Sequence, residues 1–241
     1  MATTAEGQAA TEGQAPQQPE QAVTNPAPPS GAGLPFTTEL RAGRLANGLR
    51  WYVRQNGEPQ KRAELRLAVR VGSISEQEHE RGIAHIVEHL AFRATALYPE
   101  RQDVVNFLEG IGAQFGPCQN AYTSFEETVY ELHVPVEDTE TLRKSLVVLR
   151  EWAHAIRISD KDVDDERTIV LEEWRQQQTA ATRAAVAYTK ALVGDDSVYG
   201  VRMPIGLPDV IKGVGGAVLR EFYTRYCKIV ILSRFACCPS R

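Results

Sequence analysis

From residue 63 to 73 the chain reads AELRLAVRVGS, alternating apolar and polar positions so that Leu65, Leu67, Val69 and Val71 share one face. A period of two is that of a strand with one buried face. The stretch NGLRWYVRQ (47–55) opens on an Asn-Gly turn pair and continues as a second strand. Residues 74–82 form a charged loop, and 84–92 are helical. Over 101–110, Val104, Val105, Phe107 and Leu108 make an apolar stripe that Gly110 and Gly112 end. Residues 113–135 hold two extended runs about a polar turn near Thr123–Glu126, which predicts a hairpin. Pro117 places the first run at a sheet edge or on a bulge. A helix is predicted over 139–157. A second, long helix over about 160–190 opens on the capping pair Ser159 and Asp162. Residues 194–209 read as loop, 217–226 as a last helix and KIVIL (228–232) as a short apolar run. Paired strands with helices between and after them predict an α+β fold, a mainly antiparallel sheet flanked by helices. No internal repeat is visible.

Composition narrows this picture. The chain has 241 residues, 43% of them hydrophobic, enough for one domain with a sizeable core and a tail. Its net charge of −4, with no basic cluster, argues against nucleic acid as a partner. No run of 18 apolar residues is present, so no membrane span is expected. The first 34 residues contain no Lys or Arg and are rich in Ala, Gln, Pro, Thr and Gly. They match neither a secretory signal nor a transit peptide and bury too little apolar surface to order, so a disordered tail is expected over 1–34. Its Pro-rich end reads as a linker. A single domain is expected over 35–233 and an atypical tail over 234–241. Cys118, Cys227, Cys237 and Cys238 show no paired spacing. A reducing compartment, cytoplasmic by default, is the expectation, with an organelle left open.

The stretch AHIVEHLAF (84–92) carries His85, Glu88 and His89 on one helical face. Residues i and i+4 lie one above the other, so both imidazoles can reach one ion. Zinc takes neutral imidazole nitrogens and often keeps an open position beside three protein ligands. Glu88 could hold the water in that position and accept its proton. The order H-x-x-E-H inverts the common zinc-protease arrangement. Chance placement on a surface helix is the competing reading. A third ligand is offered by DERTIVLEEWR (165–175): Glu166 and Glu173 lie seven apart on one face, and Glu172 is turned 100° away. One carboxylate could bind metal while another orients a ligand histidine; the alternative is a solvated acidic face. His133 and His154 read as structural, and Trp51, Trp152 and Trp174 as packing residues. Tyr199 and Arg202 lie in a loop that could border the site. Cys237 and Cys238 have no partner ligands nearby in sequence.

Taken together, GIAHIVEHLAF, FLEGIGAQFGPCQNAYTSFEETVYELHVP and ERTIVLEEWR resemble the insulinase, or pitrilysin-like, zinc metallopeptidases, and within them the PqqL-type branch. LANGLRWYVRQNGEPQKRAELRLAVRVGSISE resembles the start of that domain, and the likeness spans about residues 37–230. The resemblance implies a zinc-dependent endopeptidase domain that hydrolyses extended peptides with a metal-activated water. It implies one zinc held by His85, His89 and Glu173, with Glu88 as catalytic base and Glu166 as the supporting acid; Glu172 stays the alternative to Glu173. It also implies that QNAYTS is an edge strand whose Asn120 and Ala121 bind substrate backbone by strand addition. Family members enclose a chamber with a second homologous domain or chain, which supplies an Arg/Tyr pair. This sequence is too short to hold a second copy, and its end, SRFACCPSR, departs from the family pattern. The alternative expectation is therefore a truncated, catalytically incomplete unit that needs a partner.

Overall fold

Leu65 and Leu67, on the face that the alternation assigns to the core, are 1% and 0% exposed in the computed structural model, which describes residues 39–100, 102–227 and 233–239. They lie on β3 (Arg62–Val69), paired antiparallel with β5 (Thr128–Pro135), whose Leu132 and Val134 are equally buried. Burying a side chain of this kind is worth roughly 1.5–3 kcal/mol. The predicted hairpin joins β4 (Gln119–Thr123) to β5 and leaves β4 at the sheet edge, as Pro117 suggested. At the other edge β1 (Leu40–Arg44), which the sequence did not reveal, pairs antiparallel with β2 (Arg50–Asn56). Trp51 of β2 lies over Gly43 of β1, where an added Cβ would meet the indole at 2.5 Å.

The sixth strand, β6 (Ser233–Pro239), starts at the last residue of the expected domain and runs into the stretch, 234–241, expected as an atypical tail. It runs parallel to β2 and antiparallel to β3, giving the order β1-β2-β6-β3-β5-β4. The sheet is thus mixed and mainly antiparallel. The expected disordered segment, 1–34, and the apolar run 228–232 lie outside the described residues.

Helices cover one core-bearing side of this sheet. α1 (Ile83–Ala91) contributes Ile83, Ile86 and Leu90, and α3 (Thr139–His154) contributes Val148, Leu149 and Trp152, all buried. The Trp152 indole donates to the Ala91 carbonyl at 2.8 Å, tying α3 to the end of α1. α2 (Asp103–Gly110) packs through Val104 and Leu108. The long helix predicted over 160–190 is two helices, α4 (Asp160–Gln176) and α5 (Ala180–Val193). Thr179 breaks them apart: its hydroxyl accepts the Thr182 amide and caps α5. Residues 194–209, read as loop, contain α6 (Val198–Val201) and the start of α7 (Pro208–Gly213), where Pro208 occupies the first turn. α8 (Gly216–Cys227) follows. Among the described residues no helix is long and apolar enough to cross a membrane.

The start of α1 is fixed from two sides. Glu76, 4% exposed, accepts the amides of Gly82 at 3.0 Å and Ala84 at 2.9 Å, groups that have no partner within the helix. Gly206 meets Gly82 backbone to backbone; a Cβ on Gly206 would lie 2.3 Å from the Gly82 Cα. The helix that carries both histidines is thereby held in place before any ligand is considered.

Candidate metal centre

α1 presents His85 and His89 toward α4, and α4 returns Glu173. The two Nε2 atoms are 3.2 Å apart, and each lies 3.5 Å from Oε2 of Glu173. Four donors arranged tetrahedrally at about 2.0–2.1 Å from zinc stand about 3.3 Å from one another. The three atoms therefore already form one face of a zinc-sized tetrahedron, and the donor set, two imidazoles and a carboxylate, is one that zinc accepts. Among the described residues these three make up the group whose donor atoms could share one ion. Glu172 turns outward, is exposed and pairs with Arg175.

The other nitrogen of His89, Nδ1, lies 3.1 Å from Oε2 of Glu166. Glu166 is 5% exposed, and its second oxygen accepts from Nε of Arg93, itself 4% exposed. Arg93 also reaches Asp165 at 3.2 Å. This buried chain from Arg93 through Glu166 to His89 fixes the imidazole ring and places a proton on the side away from the donor triangle. Nδ1 of His85 is buried and has no hydrogen-bond partner among the described residues.

Burial lowers the His85 pKa, with the neighbouring His89 acting in the same sense and Glu173 opposing. Burial also works against the charged form of His89, but the hydrogen bonds to Glu166 and Glu173 outweigh it and hold the imidazole up at about 9. The His89 hydrogen bond pulls Glu173 below the ordinary carboxylate range. Burial tends to raise Glu166, yet His89 and Arg93 together bring it down. Glu88 is the exception among these acids. Burial raises it, only partly offset by a hydrogen bond from Thr123 and by His89. A carboxylate whose pKa is raised by burial holds a proton more readily, as a group that takes one up and passes it on requires.

Thr123 was not singled out from the sequence, because a threonine at a strand end is unremarkable there. Its hydroxyl donates to Oε2 of Glu88 at 2.6 Å and joins the edge strand to α1. On the same strand Asn120 is exposed, and its Oδ1 accepts the Ala121 amide at 2.9 Å. The Ala121 N–H thus points away from β5, toward the free edge.

These residues line a cleft of about 1190 Å³. Trp174, expected as a packing residue, forms part of its wall, whereas Trp152 is core. Tyr199 donates to Glu126, and Arg202 pairs with Glu78 at 2.7 Å; neither lines the cleft. His133 stands opposite Glu64 in the sheet, and His154 places Nδ1 2.6 Å from the Arg150 carbonyl, both apart from the donor triangle.

Residues 52–193 match the model of the insulinase family, peptidase family M16. The chain is 46% identical over 194 residues to a protein of Arabidopsis thaliana named zinc protease PQQL-like, covering 79% of this chain and 20% of that one. It is 38% identical over 193 residues to the probable zinc protease PqqL of Haemophilus influenzae, with 80% and 21% covered. The crystal structure of the first half of the periplasmic protease PqqL from Escherichia coli superposes with a TM-score of 0.81 at 34% identity, over 86% of this chain and 44% of that chain. The chain spans about a fifth of the length of these curated relatives.

Proposed function

The chain belongs to the insulinase family of peptidases, family M16, and on that premise we propose that it is the zinc-binding unit of a metalloendopeptidase that cuts extended peptides. The observation that carries this reading is the triangle of donor atoms from His85, His89 and Glu173, with sides of 3.2 and 3.5 Å. We assign the unit to residues 35–233 together with β6, which runs on to Pro239 within the same sheet.

Zinc, when bound, lowers the pKa of a water beside it and polarises a carbonyl oxygen. The chain's own residues supply the rest. His85, His89 and Glu173 hold the ion, and Glu166 with Arg93 orients His89. Glu88 takes the proton of the attacking water on Oε1 or Oε2 and delivers it to the leaving amine. Thr123 keeps the Glu88 carboxylate aimed. The free edge of β4, at Asn120 and Ala121, offers main-chain groups to an extended peptide, which gives affinity with little sequence preference.

The test is a Glu88→Gln variant assayed beside His85→Ala. Glu88→Gln should keep stoichiometric zinc by mass spectrometry and lose cleavage of a quenched peptide by at least about 100-fold; His85→Ala should lose the zinc. Equal zinc in parent and His85→Ala would remove the site.

A second reading has its own support. No residue of α5 is buried, and Tyr188 and Leu192 are 67% and 66% exposed. Exposed apolar side chains on one helix suit contact with another unit. In this reading the chain is an incomplete half that acts only with a second homologous domain or chain. Assaying the chain alone and with a related partner separates the two, and robust turnover by the chain alone excludes the second.

A further inference from the structure

Among the described residues the cations on the other helices, Arg143 of α3 apart, pair with carboxylates on their own helix or on neighbouring elements. On α4, Lys161 pairs with Asp165, Arg167 with Asp164 and Arg175 with Glu172. On α3 Lys144 pairs with Glu140, on α7 Lys212 pairs with Asp209, and Arg225 of α8 meets Glu80. α5 breaks this pattern. Its sequence, AATRAAVAYTKALV, contains two cations and no acid. Neither Arg183 nor Lys190 makes an ion pair with any described residue; Arg183 only donates Nη1 to the Gln178 carbonyl at 3.2 Å. Both line the cleft, with Val186 and Ala187 between them on the same face. A seven-residue interval is two helical turns, which keeps the two cations in line.

The rest of the cleft reinforces this. Its carboxylates, Glu88 and Glu173, are both at the metal centre, and Arg81, which also lines it, is already matched, by Glu78 at 3.6 Å and the Val201 carbonyl, which leaves Arg183 and Lys190 as its unmatched charges among the described residues. Away from the metal the walls are therefore cationic, in a chain whose net charge is −4. A cleft lined by one sign of charge concentrates ligands of the other sign.

We propose that the α5 face of the cleft selects peptides with acidic side chains to one side of the metal, read by Arg183 and Lys190. The spacing sets the pattern. Seven helical residues span about 10 Å, and an extended peptide rises about 3.3 Å per residue, so the two acids stand about three residues apart. This inference rests on the peptidase reading and names the class of substrate for it.

The experiment uses the full chain, loaded with zinc, in a Glu88→Gln background so that peptides are bound and not cut. Fluorescent extended peptides that differ only in carrying Asp, Asn or Lys at two positions three apart are titrated and followed by anisotropy. The Asp peptide should bind about fivefold more tightly than the Asn peptide at low salt, and the ratio should shrink as salt rises. The preference should vanish in Arg183→Ala/Lys190→Ala and invert toward the Lys peptide in Arg183→Glu/Lys190→Glu. Equal binding of Asp and Asn peptides, an Asp preference that survives the double alanine change, or binding of none of the peptides overturns the proposal. Failure of the peptidase reading is read separately, from zinc content and from cleavage of the Asn peptide by protein with Glu88 intact. Cleavage of that peptide without any acidic preference would leave the reading standing and sink only this inference.

Discussion

The hydroxyl of Thr123, at the end of the edge strand, donates to the carboxylate of Glu88 on α1 at 2.6 Å. The proposed general base is thereby anchored to the strand that would hold the substrate, so a shift of that strand moves the base with it.

Replacing Thr123 by Val removes the donor and keeps the shape. The expected result is an unchanged zinc content, an unchanged KM and a kcat lower by roughly tenfold, since a base held out of line loses part of its contribution. A fall in zinc content to match would place Thr123 in folding of the site and not in aiming the base.

Glu173 and Glu172 are neighbours in sequence with opposite orientations. Glu173→Gln should weaken zinc binding by more than about 100-fold, beyond the range typical of residues that only support a ligand. Glu172→Gln should leave it unchanged, because Glu172 is exposed and pairs with Arg175. Metal titration against a chelating dye measures both, and comparable losses in the two variants would contradict the assignment.

Arg93→Met leaves the buried Glu166 carboxylate with His89 as its one remaining partner of those named. Breaking a buried pair from one side costs about 3–5 kcal/mol. Urea denaturation of the metal-free protein should register a loss of that order. A loss below about 1 kcal/mol would mean that Glu166 is resolvated or protonated at little cost.

Glu76 supplies a pH dependence. Burial pushes its carboxyl up to about 7 and outweighs the amides of Ala84 and Gly82, which favour the ionised form, as does Arg202. The folded pKa then lies above the unfolded value near 4.5, so the native state binds more protons between the two. This contribution is fully present below about 4.5 and is lost as pH rises through about 7. The total is about 3 kcal/mol, at 1.36 kcal/mol per unit. Comparing stability against pH for the parent and Glu76→Gln should show a difference that declines over that window. A difference that stays flat would mean that the two amide hydrogen bonds keep Glu76 ionised throughout.

Much of this arrangement is written locally. The two-residue period of 63–71 and the turn at Thr123–Glu126 belong to short stretches, and the core positions Leu65 and Leu67 followed from them. The i, i+4 spacing of His85 and His89 places both imidazoles on one helical face whatever surrounds the helix. Helix phase likewise separates Glu173 from Glu172 and aligns Glu173 with Glu166.

The break at Thr179, by contrast, was hidden by a helix-compatible composition with neither Gly nor Pro. Only the cap geometry at Thr182 shows where α4 stops and α5 turns along the cleft. β6 gains its place by pairing with the distant strands β2 and β3, which a local pattern does not specify, while β1 folds back on β2 across a short turn. The reach of Thr123 to Glu88, of Arg93 to Glu166 and of Glu76 to the start of α1 joins residues whose neighbours in sequence give no hint of the contact. Sequence alone determined which side chains share a face, because periodicity is a property of the local backbone. Tertiary packing alone decided which faces meet, and so whether two imidazoles and a carboxylate stand close enough to grip one ion.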